Sequence, residues 1–144
     1  MNHFDLINKL PMDIVLKIIP YTYTLQNKNI LNDIVNYVET KKNLLILYHT
    51  YWFDIEEDEY KNWLINDIFA YANDYNATMY GYVNKFYCIF ERHIGLRSQS
   101  KEKIDKYVYN LEKESVETQI NIFLGLLNLT ERNDLVIVAT KKCL

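Results

Sequence analysis

Leu10-Pro11-Met12-Asp13-Ile14-Val15-Leu16-Lys17-Ile18-Ile19-Pro20 is the most clearly punctuated stretch of this 144-residue chain. Pro11 suits the first turn of a helix, where its missing N–H has no intrahelical partner to lose. Ile14 and Ile18, with Val15 and Ile19 beside them, recur at helical spacing and share one face. Pro20 is expected to stop this helix, since it biases Ile19 away from the α region. The apolar face so formed must be buried, either on the chain's own later helices or on a partner.

The same helical spacing continues outward. Asn29 is placed to cap a second helix carrying Ile30, Leu31, Ile34, Val35 and Val38. Thr40 is placed to cap a third, with Leu44, Leu45, Leu47, Tyr48, Tyr51 and Trp52. Residues 10–53 therefore read as one unit of three short helices, and residues 54–144 as a helical region packed on it.

In that second region Asp54 and Glu57 form a capping-box-like start, with Lys61 placed to pair with Glu57. Tyr60, Trp63, Leu64, Ile68 and Tyr71 supply the apolar face, and Asn73 to Asn76 read as a break. Thr78 is expected to cap a fifth helix with Met79, Tyr82, Val83, Phe86, Ile89 and Phe90, stopped near Gly95 and Leu96. Ser98 or Ser100 opens a sixth, with Ile104, Tyr107, Val108 and Leu111 inward and Glu102 and Lys106 paired outside. Ser115 opens a seventh with Val116, Ile120, Phe123, Leu124 and Leu127.

Leu135 to Ala139 is β-branched and reads either way. Thr130 as a cap and the helical context favour a helix there. Only three Gly and two Pro argue against a loop-rich β-sandwich and against a long disordered linker. The expected fold is all-α, a compact helical domain of about seven or eight short helices.

The net charge of −3 supplies no broad field for nucleic acid or an anionic membrane, so neither is expected as a partner. No apolar run approaches the ~20 residues a membrane-spanning helix needs, and the N-terminus lacks the pattern of a signal peptide. Cys88 and Cys143 read as free thiols, with Cys88 a small core residue. Two cysteines make no disulfide framework, which points to a reducing, intracellular compartment. Asn76-Ala77-Thr78 and Asn128-Leu129-Thr130 match the glycosylation pattern but read better as helix-start caps. Asn, Ile, Lys and Tyr abound while Ala, Gly, Arg and Pro are scarce, which an AT-rich genome explains without selection for tyrosine chemistry.

The chemistry-bearing residues point away from catalysis. His3, His49 and His93 are widely separated, and His93 fits a helix end. Asp54, Glu56, Glu57, Asp58 and Glu59 suit the positive end of a helix dipole better than a metal site. Ser98 to Lys101 and Ser100 to Lys103 both satisfy Ser-x-x-Lys, yet serine is expected at a helix start and the companion motifs are missing. Between Arg97 and Lys113 the lysines alternate with acids, which nearly cancels the field that phosphate binding requires. No metal or cofactor is expected, and the chain reads as a non-enzyme.

Residues 10–52 resemble an F-box. That family opens with Leu-Pro and follows with an acidic residue and apolar residues at helical spacing. Leu10, Pro11, Asp13, Ile14, Ile18 and Ile19 match that opening, and Ile30, Leu31 and Ile34 can serve its second-helix apolar positions. Tyr37 to Lys42 does not reproduce the family's Val-Cys-Lys-x-Trp/Phe-like segment. The pattern also looks like small F-box-like proteins of large DNA viruses with AT-rich genomes. The resemblance implies an adapter whose N-terminal unit binds a Skp-type adaptor of a cullin–RING ubiquitin ligase while the remainder recruits a protein target. Leu10, Pro11, Ile14, Ile18, Ile19, Ile30, Leu31 and Ile34 would then be partner-binding, in the host cytoplasm or nucleus if the protein is viral. The alternative is a viral structural or accessory helical protein in which residues 10–52 belong to the core. A third reading is a small enzyme or nucleic-acid binder without a recognisable motif.

Overall fold

A computed structural model describes residues 10–22, 27–52 and 59–144, with side chains not described at 19–22. Among these residues the secondary structure is helical throughout, with no strand. The helices are α1 (Met12–Thr22), α2 (Lys28–Tyr51), α3 (Glu59–Ala72), α4 (Asn84–Phe90), α5 (Lys101–Leu111), α6 (Val116–Leu126) and α7 (Leu129–Cys143). A single 3-10 turn, Thr78–Tyr80, lies between α3 and α4. The chain divides into two compact units, Met1–Asn32 and Asp33–Leu144. The division falls inside α2, whereas the sequence suggests it at 53/54.

In the first unit, the Pro11 carbonyl accepts from the Ile14 and Val15 amides at 3.0 and 3.1 Å and so starts α1. Pro20 does not end this helix as expected, because α1 runs two residues further to Thr22. Proline's fixed φ is itself helical, and near a helix end its missing N–H removes one bond rather than a ladder.

Residues 28–51 form one helix where two are expected, so residues 10–53 do not contain three short helices among the described positions. Thr40 is not a cap. It is buried in the interior of α2, which has no Gly or Pro to break it. An interior threonine costs only about 0.5 kcal/mol of helix propensity, too little to interrupt a helix whose later turns are packed.

The second unit holds a core centred on α3, α4 and α6. Leu64, Ile68, Phe86, Phe90, Phe123 and Leu124 are essentially inaccessible. Phe90 meets Phe123 edge-to-face at 5.2 Å and stacks near Phe86 at 4.8 Å, geometries in which ring edges and faces attract. Ile104, Val108 and Leu111 of α5 and Leu135, Ala139 and Cys143 of α7 close the core. The stretch from Leu135 to Ala139 is helical.

The corner after α3 falls at the expected break. Asp74 and Tyr75 take left-handed φ values of 51° and 58°. The buried Asn73 side chain holds this turn, donating to the Asn76 carbonyl at 2.8 Å and accepting from the Val83 amide at 3.0 Å. Thr78 begins only a 3-10 turn, and α4 starts later, after Val83. Ser115 caps α6 as expected, its hydroxyl accepting from the Thr118 amide at 3.2 Å. Helix α7 is capped by Asn128 rather than Thr130. The Asn128 side chain accepts from the Glu131 amide and the Glu131 carboxylate accepts from the Asn128 amide, each at 2.9 Å. Cys88 is exposed on α4 rather than in the core, while Cys143 is buried; both are free thiols.

Candidate docking surface

Helix α2 turns its chemistry inside out along its length. Within Asp33–Thr40 the residues that meet the rest of their unit are polar, namely Asp33, Asn36, Tyr37 and Thr40, spaced three and four apart. The apolar residues of the same stretch, Ile34, Val35 and Val38, are 52%, 54% and 56% exposed. From Leu44 onward the order reverses, and Leu44 and Tyr48 are buried. A helix of ordinary amphipathicity would bury its aliphatic stripe.

Arg132 on α7 explains the inversion. Its side chain is 1% exposed and lies against the inner side of α2. Nε donates to the Asn36 side-chain oxygen at 2.8 Å, Nη1 to the Leu124 carbonyl at 3.1 Å, and Nη2 to the Asp33 carbonyl at 3.3 Å and its carboxylate. A buried guanidinium needs acceptors on every side, and Asp33 and Asn36 supply them. Asn36 also donates to Asn133 at 2.9 Å, Tyr37 to Asn121 at 3.3 Å, and Lys41 to Glu117 at 2.6 Å. With the polar side of α2 thus committed inward, its aliphatic stripe faces out.

The residues expected to bind a partner lie as follows. Leu10, Pro11, Ile14 and Ile18 are exposed in the first unit, where Leu10, Ile14 and Ile18 follow one another at helical spacing. Ile30 and Leu31 are exposed at the start of α2 in the first unit, and Ile34 is exposed in the second. The Ile19 side chain lies outside the described ones. Val35 and Val38 are exposed with Ile34 in the second unit, although the F-box resemblance does not point to them. The sequence pattern does not point to Arg132 and Asn36, which orient the exposed residues of α2 in the second unit. The available signal was an arginine at α-helical spacing from Leu135 and Ala139, on the apolar side of its own helix.

Other clusters spend their chemistry internally. Asp67 accepts from the Tyr48 hydroxyl at 2.5 Å and from the Lys142 amine at 2.6 and 2.7 Å, beside a cavity of about 160 Å³. Burial, then the bond to Asp67, pushes the Tyr48 hydroxyl well above the ordinary tyrosine value, so it stays a donor. A wider cleft of about 650 Å³ runs beside Asn62, Asn66, Phe69 and Gln119. The Gln119 amide there donates to the Glu112 and Glu114 carbonyls. In the Ser-x-x-Lys segments the Lys101 amine reaches Asn84 and sits over the Tyr87 ring, and the Lys103 amine reaches Gln99. Lys61 pairs with Glu117 at 3.5 Å, while its expected partner Glu57 lies outside the described residues.

Among the described residues, His, Cys, Asp and Glu form no group of three or more that could hold a metal ion. None of the described helices is long and apolar enough to cross a membrane. Comparison with protein-family models, with curated proteins and with solved structures finds no match.

Proposed function

We propose that this chain is a protein–protein adapter whose N-terminal apolar residues dock on a partner while the helical body of the second unit carries a target. The observation that carries the reading is the outward stripe Ile34-Val35-Val38, more than half exposed on a helix bonded through its other side. Exposed aliphatic residues grouped on one face mark an interaction surface, and burying them against a partner contributes about 25 cal/mol per Å² before association costs.

Leu10, Pro11, Ile14, Ile18, Ile30 and Leu31 are exposed apolar residues of the first unit. With the Leu-Pro opening, they make a Skp-type adaptor of a cullin–RING ligase the first partner to test. The test is co-purification of the full chain with that adaptor, repeated with Ile14→Asp and Ile34→Asp. Retention by the parent and loss by both folded variants supports the ligase reading; no retention of the folded parent rejects it.

The continuous α2 favours a second reading, because an F-box uses three short helices and the described residues between 10 and 52 hold two, α1 and α2. On that reading the chain is a structural or accessory helical protein, viral in origin, without ligase binding. Sedimentation of the parent as a self-associated species that Val35→Asp returns to monomer would favour it.

A further inference from the structure

We infer that Arg132 is a latch, and that the first half of α2 opens from the body as a separate segment when the latch is released. The attachment changes character along the helix. Asn36 and Tyr37 hold the first half through side-chain hydrogen bonds to Arg132, Asn133 and Asn121, with the Tyr37 ring partly packed against the core. Asp33, which closes the Arg132 set, has a side chain 55% exposed to solvent.

The second half is held by Leu44 and Tyr48, which are buried to 0% and 1% exposure. Water can replace the hydrogen bonds of the first half on opening, and only the partial packing of Tyr37 is lost with them, whereas it cannot replace the full apolar burial of the second. The boundary between the two regimes is Thr40, where the sequence suggests that a new helix begins. Opening there would free Asn36, Tyr37 and Thr40 together with the stripe on their other side, giving a partner access to both faces of one helix. Regions with few buried apolar contacts open sub-globally in this manner, and binding segments are drawn from them.

This proposal uses the docking reading only for the purpose of the movement; the movement itself is tested without a partner. In native-state hydrogen exchange on the full chain, amides 37–42 report the first half, because each bonds a carbonyl four residues earlier. Amides 48–51 report the second half. In the parent, the first set should exchange through a smaller opening than the second. Asn36→Ala and Arg132→Met should each raise exchange of the first set by about tenfold, with the first set still opening more readily than the second. Asn36→Ala keeps the guanidinium in place, so it decides the matter if Arg132→Met disturbs folding. Equal protection of the two sets in the parent, or a first set whose exchange Asn36→Ala leaves unchanged, would overturn the latch. Independent opening of the first half in a chain that retains no adaptor would sink the ligase reading and leave the latch standing.

Discussion

The Arg132 Nε lies 2.8 Å from the side-chain oxygen of Asn36, with the two residues on helices α7 and α2 and 96 positions apart. The same guanidinium reaches Leu124 and Asp33, so one side chain ties α6, α7 and α2 together. Truncation would leave the Leu124 carbonyl without its donor and a hole the size of a long side chain. Arg132→Ala should therefore cost about 2–4 kcal/mol in urea unfolding. Arg132→Met keeps most of the volume and leaves no trapped charge, because Asp33 is half exposed; its cost should be smaller. Equal losses for the two variants would mean that the hydrogen bonds, not the filled volume, dominate.

The start of α7 makes a sharper local test. Asn128 and Glu131 exchange side-chain and backbone bonds, whereas the exposed Thr130 carries no cap. Asn128→Ala should lower stability by about 1 kcal/mol, and Thr130→Ala should stay within about 0.5 kcal/mol of the parent. Urea midpoints at fixed m-value separate the two.

Acid should weaken the same corner. Burial of the Glu131 carboxyl would raise its pKa, but the bonds from Arg92 and the Asn128 amide outweigh burial and hold it below the usual glutamate value. Arg92 grips it with both terminal nitrogens, at 2.5 and 2.9 Å. A carboxyl depressed in the folded state stabilises above its unfolded value, and that contribution is lost as pH falls through the folded one. The stability difference between parent and Glu131→Gln should therefore be full at neutral pH and shrink below about pH 4. A difference that stays constant through that range would contradict the assignment.

At the other end of the pH scale, burial and then the bond to Asp105 push the Tyr87 hydroxyl up to about 12. Burial, followed by bonds to Asp67 and Asp134, also raises Tyr48 and Tyr71. These phenols stay protonated in the fold, so their contribution is present below the ordinary tyrosine value of about 10. It is lost as pH rises through the folded values. Ultraviolet titration should show a late tyrosine phase that loses amplitude in Tyr87→Phe. A single phase centred on the ordinary value would refute it.

Helix existence was legible in the sequence wherever an apolar face and a cap residue coincided. Ser115 with Ile120, Phe123 and Leu124 is the clearest case, and Ile104, Val108 and Leu111 on α5 are another. Two kinds of feature were not legible. The first is continuity: Thr40 and Pro20 are capping or breaking residues by local propensity, but the helices run past both. The second is orientation. The apolar residues Ile34, Val35 and Val38 announce a helix without saying which side of it meets the rest of their unit. That choice was made by Arg132, a residue far away in sequence whose charge needs the polar side of α2. The exposed stripe was thus half readable, its members from periodicity and its direction only from the fold.

The most direct test is the equilibrium stability of Ile34→Asp and Val38→Asp, measured by urea unfolding of the isolated chain. Both positions are more than half exposed, so each substitution should change stability by less than about 0.5 kcal/mol. A loss of about 3 kcal/mol or more, the scale for a charge forced into an apolar core, would show that these residues pack within the chain and leave no docking face.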